Sequence, residues 1–299
     1  MPIKKLNDLI EIASKKGSKK LVVAVAQDEY VLRAVKSASQ AGFVLPILVG
    51  DKDEIKVSAN LAEFDLSEVE ILHEPDKKLA CTRAVNLIKE GKAQLLMKGL
   101  VSTGVLVKAI LDKDFGLMNN SLLSHIAIFE SPYYHKIIGI TDAALNIHPD
   151  LSEKVIIINN AVKVFHKLGI PLPKVGILAA VETVNPKMEA TVHAAMLTVM
   201  QKRSQIVGCL IDGPLALDSA ISAEAAKHKG IISEITGDAD ILLAPDLNSG
   251  NILYKSFSFL GGALGAAVVV GATVPVVLTS RADPENSKFL SIALAACLA

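Results

Sequence analysis

Short apolar runs alternate with helical patterns along almost the whole chain. LVVAVA (21–26), PILVG (46–50), VEIL (69–72), QLLM (94–97) and IIGI (137–140) predict strands. So do VGILAA (175–180), IVGCLI (206–211), DILLA (240–244), AAVVV (266–270) and VPVVL (274–278). Between most of them lie segments such as EYVLRAVKSASQ and KMEATVHAAMLTVMQKR, with apolar positions three and four apart, the spacing of amphipathic helices. Strands that are continuously apolar rather than alternating are covered on both faces, which predicts an α/β architecture. Ligands in such sheets bind beyond the carboxyl ends of strands, so the residues that follow each apolar run are the ones to read for function.

From Ser256 to Ser280 no residue is charged, a stretch long enough to cross a bilayer. Gly261, Gly262, Gly265, Gly271 and Pro275 interrupt it, and its last part is β-branched. The pattern predicts a buried helix, a glycine turn and a buried strand, with no membrane span. FESPYYHK (129–136), polar and proline-containing, is the best candidate for a domain crossing.

The chain has 299 residues, room for two domains. Half of them are hydrophobic but only 4% are aromatic, so small aliphatic side chains build the core. Formal net charge is zero, which gives no bulk attraction for nucleic acid or an anionic membrane. Anion binding must then come from a few well-placed cations. Cys81, Cys209 and Cys297 are widely spaced, as expected of reduced thiols in a cytoplasmic protein. The charged N-terminus lacks the apolar core of a secretory leader.

Several common chemistries lose ground at once. There is no GxGxxG after the first strand, no GxxxxGK[ST], no HExxH, no GxSxG and no His/Cys cluster of the kind those sites require.

The segments at strand ends are richer. MKGLVSTG (97–104) sets Lys98, Ser102, Thr103 and Gly104 ahead of a helix, either as an anion cradle of backbone N–H groups or as ordinary capping. In GITDAALNIHPDL (139–151), Asp142 and Asn146 follow a strand; Asp142 either orients a ligand or bonds loop amides. Asp212, Asp218, Asp238, Asp240 and Asp246 are either metal-holding carboxylates or turn residues. Asn248 and Asn251 flank a glycine, with Tyr254 and Lys255 one turn on; capping accounts for one Asn, not for both. In LTSRADPE (278–285) the residues Asp283, Pro284 and Glu285 read as a helix start capped by Asp283. Arg281 precedes that helix, where the macrodipole disfavours a cation. Beside Ser280 and helix-terminal amides it makes a phosphate fork.

These segments resemble the phosphate acetyl/butyryltransferase family, most closely its butyryl branch. The resemblance rests on MKGLVSTG, GITDAALNIHPDL, VETVNPKM, DGPLALD, GDADILLAPDLNSGNILYK and LTSRAD, in that order. It implies reversible acyl transfer from acyl-CoA to inorganic phosphate, by direct attack in a ternary complex. CoA is then a substrate, and no metal or other cofactor is implied. The implied fold is two three-layer α/β/α domains with a cleft between them, as in isocitrate and isopropylmalate dehydrogenases. Residues 1–130 plus 283–299 would form the first domain and 131–282 the second, in a homodimer or higher homo-oligomer. Ser280 and Arg281 match the family's catalytic pair. Lys98, Ser102, Thr103, Gly104, Asp142, Asn146, Asn248, Asn251 and Lys255 are the implied substrate contacts. Where the acetyl enzymes place an acidic thiol base this chain has Ser287, and where they have a cysteine it has Ala143. The alternatives are acetyl transfer, a metal- and nicotinamide-dependent decarboxylating dehydrogenase of the same fold, and a non-catalytic binding protein.

Overall fold

The computed structural model describes residues 2–118, 121–280 and 282–299. The chain is mixed α/β and folds as two compact units. A flanking unit comprises Asn7–Ser121 and Ala266–Ala299, and a central unit comprises Leu122–Gly265 with the N-terminal residues up to Leu6. The changeovers thus fall at 121/122 and 265/266, compared with the 130/131 and 282/283 expected.

In the flanking unit the elements run α1 (Asp8–Lys15), β1 (Lys19–Ala24), α2 (Glu29–Gln40), β2 (Val44–Gly50), α3 (Lys52–Leu61) and β3 (Glu70–His73). They continue with α4 (Lys77–Lys89), β4 (Leu95–Lys98) and α5 (Thr103–Ile110). The central unit holds β5 (Ser124–Glu130), β6 (Ile138–Thr141), α6 (Leu151–Lys167), β7 (Lys174–Leu178), α7 (Glu189–Lys202) and β8 (Leu210–Leu215). After these come α8 (Leu217–Ile221), α9 (Ala223–His228), β9 (Ile241–Leu243) and α10 (Leu247–Lys255). The chain ends with β10 (Leu264–Val270), β11 (Val276–Val277) and α11 (Glu285–Leu298).

Strand order in the flanking unit is β3-β2-β1-β4-β11-β10. All neighbours are parallel except β10 against β11. The order reverses direction between β1 and β4, which makes their carboxyl ends a topological switch point, the usual place for a ligand in a doubly wound sheet. Leu21–Ala24 of β1 are fully buried, as expected of a central strand covered on both faces. Aspartates start the helices: Asp28, Asp51 and Asp76 each accept first-turn amides of α2, α3 and α4.

In the central unit the order is β5-β6-β9-β7-β8. β5 and β6 form an antiparallel hairpin and the other pairs are parallel. Asp150 starts α6 with a full capping box, its side chain accepting from Glu153 N while Glu153 Oε2 accepts from Asp150 N at 2.9 Å.

Three expectations change. The stretch FESPYYHK is the turn region of the β5–β6 hairpin, inside one unit. IVGCLI is not a strand as placed: β8 lies four residues later and runs through Gly213 and Pro214. β8 is the last strand in the order, and proline is tolerated at an edge because one ladder donor is dispensable there. The chain from 256 is not a buried helix. A single π-helical turn, Ser256–Leu260, leaves Phe259 60% and Leu260 88% exposed before β10 begins. Among the described residues no helix is long and apolar enough to cross a membrane.

Candidate active site

In the flanking unit, β4 delivers Lys98 to the carboxyl end of the sheet beside β1. The backbone then turns hard: Gly99 N donates to Ala24 O at 2.8 Å and Leu100 N to Val25 O at 2.7 Å. Lys98 is only 7% exposed, and its ammonium donates to the carbonyls of Gly99 (3.2 Å) and Val101 (3.3 Å). Its charge therefore braces the turn.

Ser102 then occupies the N-cap of α5, but its side chain makes no capping hydrogen bond. Capping by the Ser102 side chain is thus not realised. The first-turn N–H groups of a helix have no intrahelical acceptor, and the helix dipole adds positive potential there. Ser102 and Gly104 are exposed and Thr103 is half-buried. A Cβ added at Gly104 would meet nothing within 4 Å. The helix start offers donors and open space together, which suits a phosphate.

β11 lies parallel to β4, pairing Val276 with Leu96 and Val277 with Met97. In that register the chain leaving β11 through Thr279 and Ser280 emerges beside the chain leaving β4 through Lys98 and Gly99. Tertiary pairing thus brings the two segments MKGLVSTG and LTSRAD to one end of one sheet. Ser280 is exposed in a tight turn. Its N–H donates to Asp283 Oδ2 at 2.7 Å, its Oγ accepts from Ala282 N at 3.3 Å, and its carbonyl accepts from Asp283 N at 3.2 Å. The serine hydroxyl uses a lone pair in that turn, so its proton is not consumed there. Asp283 was expected to cap the last helix; instead Pro284 stands at the cap position and the Asp283 carboxylate reaches back to Ser280. Arg281 lies outside the described residues. Ser287 is half-buried in the first turn of α11.

The central unit assembles the second set of expected contacts. Asp142 is buried at the end of β6, and its carboxylate takes four donors. Ala144 N (2.8 Å) and Leu145 N (3.0 Å) donate to Oδ1; His125 N (3.1 Å) and Asn146 Nδ2 (2.5 Å) donate to Oδ2. Asn146 also donates to Leu123 O at 2.9 Å. These two side chains thus organise a loop. α10 rests on that loop: Asn251 Nδ2 donates to Ala143 O at 3.0 Å, and a Cβ on Gly250 would sit 2.1 Å from Asp142 O. Only glycine permits that approach. Asn248 is exposed in the first turn of α10, and Lys255, at its last residue, lies 5.9 Å over the ring of Phe259. The Tyr254 ring meets those of His125 (5.8 Å) and Phe129 (5.4 Å) edge-on. The buried imidazole of His125 escaped the sequence reading because β5 was not recognised as a strand.

The five aspartates weighed as metal ligands have other partners or roles. Asp238 pairs with Lys136, Lys174 and His135, and Asp240 with Lys136. Partial burial opposes ionisation of Asp238, but these cationic hydrogen-bond partners win and hold its carboxyl well below the usual range. Asp218 and Glu182 share Lys229 at 2.8 and 2.7 Å. Asp246 caps α10. Asp212 bonds the next amide within β8, so the Asp-Gly pair there is strand rather than turn. Burial pushes the three cysteine thiols up, Cys81 and Cys209 to about 11 and Cys297 to about 12. They are protonated at neutral pH and unsuited to nucleophilic attack.

Residues 5–80 and 68–296 match the family described as phosphate acetyl/butaryl transferase. Phosphate butyryltransferase of Clostridium acetobutylicum is 47% identical over 297 residues, covering 99% of each chain. Phosphate acetyltransferase of Thermotoga maritima is 42% identical over 294 residues, 98% of this chain and 99% of that one. Among solved structures, a branched-chain phosphotransacylase from Enterococcus faecalis V583 superposes with a TM-score of 0.83 at 35% identity, covering 94% of this chain and 98% of that one.

Proposed function

Because the chain belongs to the phosphate acetyl/butaryl transferase family along nearly its whole length, we infer that it is an acyltransferase carrying acyl groups reversibly between coenzyme A and inorganic phosphate, with butyryl as the preferred acyl group. Phosphate butyryltransferases at 47% and 45% identity support that choice. What supports the site is one observation: the Ser280 turn and the uncapped start of α5 leave neighbouring parallel strands at the same sheet end.

The reaction asks for position and charge stabilisation more than covalent help. Inorganic phosphate sits on the N–H groups around Ser102–Gly104, with the Arg281 guanidinium gripping two oxygens. A phosphate oxygen attacks the thioester carbonyl carbon. Ser280 Oγ–H donates to the carbonyl oxygen as negative charge develops there. Collapse of the tetrahedral species breaks the C–S bond and releases CoA as thiolate, leaving the acyl phosphate. Direct transfer in a ternary complex fits the three protonated, buried thiols, which offer no acyl acceptor. Ser287 is too weak a base to take the proton of an incoming CoA thiol in the reverse direction. Asn248, Asn251 and Lys255 are proposed as further contacts to substrate, and Asp142 and Asn146 as the framework under Asn251. Neither a metal nor a redox cofactor enters the scheme.

The two compact units are read as the two domains of an isocitrate-dehydrogenase-like fold. The protein is proposed to be cytoplasmic and at least a homodimer, Met196 and Val199 being exposed apolar residues on α7.

The test follows thioester absorbance with phosphate present and absent, across acetyl-, butyryl- and isobutyryl-CoA, in excess chelator. Two extra methylenes contribute up to ~1.6 kcal/mol if fully buried, so kcat/KM for the four-carbon substrates should exceed that for acetyl-CoA. Equal or faster acetyl turnover would make acetyl transfer the activity. Loss of activity in chelator, restored by a divalent ion, would remove the metal-free scheme.

A further inference from the structure

α11 carries a lysine where a helix facing a core has no ordinary use for one. Lys288 is 3% exposed. A buried ammonium costs several kcal/mol unless it is well hydrogen-bonded, so the contact it makes identifies what it is for. Its Nζ donates to the main-chain carbonyl of Asp283. Asp283 is the residue whose carboxylate holds the Ser280 N–H at 2.7 Å. A continuous chain of bonds therefore runs from the buried Lys288 of α11, through both the carbonyl and the carboxylate of Asp283, to the backbone of Ser280.

We propose that Lys288 is a positioning residue for acyl transfer, clamping the Ser280–Asp283 turn so that the serine hydroxyl stays aimed at the reacting carbonyl. The inference rests on Ser280 being the group that touches that carbonyl. Local bonds from Ala282 N and Asp283 N to Ser280 shape the turn itself, and the Lys288 contact ties it to α11. Ala282, Pro284 and Glu285 are exposed, and the Pro284 cap position supplies no side-chain hydrogen bond to the helix. Burial lowers the Lys288 pKa, opposed by the nearby charges of Asp283, Asp28 and Glu285. Those three carboxylates favour its keeping the proton it donates. Misplacing a reacting group by about an ångström can cost ~100-fold in rate, which is the scale at which losing the clamp should register.

The experiment is a double-mutant cycle on the full-length enzyme, reading kcat, KM and thermal stability with butyryl-CoA and phosphate. Lys288→Met keeps the length and apolar character of the stem and deletes the donor. It should lower kcat about 10- to 100-fold with little change in KM. In a Ser280→Ala background the same substitution should cost almost nothing further, because the group it positions is gone. An equal loss in both backgrounds, or a loss that tracks the folded fraction, would make Lys288 merely structural and overturn the proposal. Wild-type kcat in Lys288→Met, with Ser280→Ala inactive, would sink the clamp alone and leave Ser280 in place. Wild-type kcat in Ser280→Ala would remove the reading of Ser280, and the clamp with it. Should Lys288→Met fail to fold, Asp283→Ala, at a half-buried residue, breaks the same chain at its carboxylate link to Ser280. It is expected to show the same loss and the same non-additivity with Ser280→Ala, and wild-type kcat there overturns the proposal.

Discussion

A Cβ placed on Gly99 would lie 2.0 Å from the carbonyl oxygen of Val25. The two residues sit where β4 and β1 end side by side, at the point where the strand order of the flanking unit reverses. Gly99→Ala therefore forces backbone away from backbone, a change that no flexible side chain can absorb. It should cost about 1–3 kcal/mol and lower the melting temperature by several degrees. Activity should fall further than stability, since Lys98 and the approach to α5 shift together. A melt and a steady-state assay on the same sample check both.

Ser280→Ala removes the proposed donor to the developing oxyanion without touching the core, since Ser280 is exposed. Loss of such a donor typically costs 10²–10³-fold in kcat, roughly 3–4 kcal/mol. Arg281→Ala should cost ~30- to 1000-fold in kcat/KM, expressed chiefly when phosphate is varied. Arg281→Lys should recover little, because an ammonium keeps the charge and loses the planar fork. Circular dichroism should show all three folded. Near-normal phosphate kinetics in Arg281→Ala would move the anion site elsewhere.

Thiol chemistry gives an independent check of the direct mechanism. With Cys81 and Cys209 at about 11 and Cys297 at about 12, the raised values keep the thiols protonated throughout the neutral range. Native protein at about pH 7.5 should resist alkylation and retain full activity. Denatured protein should label at all three. Rapid labelling of one native cysteine with loss of turnover would reopen a covalent route.

The Asp238 cluster predicts a limb of acid sensitivity. The folded pKa of Asp238 lies below its unfolded value because Lys136, Lys174 and His135 outweigh the effect of burial. Its contribution is therefore present above the ordinary carboxylate range and is lost as pH falls through the folded value. Asp238→Asn should lower stability at neutral pH and flatten the decline below about pH 4. Urea melts from pH 3 to 7 would show it, and parallel curves for the two proteins would argue against it.

Continuous apolar runs are enough to announce a covered parallel sheet, because a strand buried on both faces needs no alternation; among the described residues such runs mark ten of eleven strands, IVGCLI only approximately and the exposed-edge β3 without the burial. β5 is missed because Ser-His opens it, and the burial of those two residues comes from packing. β8 is displaced because Gly213 and Pro214 read as turn chemistry until an edge position removes the objection. The site divides along the same line. Residue types at strand ends point to an anion site before any coordinates, and acyl transfer is what the resemblance of those segments to a known family implies. Whether Ser102 caps α5, whether Asp283 faces its own helix or Ser280, and what Lys288 is buried for depend on which groups meet across many residues. Local propensity is written in neighbouring side chains, whereas hydrogen-bond partners and burial are set by strand pairing. The parallel register of β4 with β11, between segments far apart in sequence, is what sets the Ser280 turn beside the end of β4 and the open start of α5.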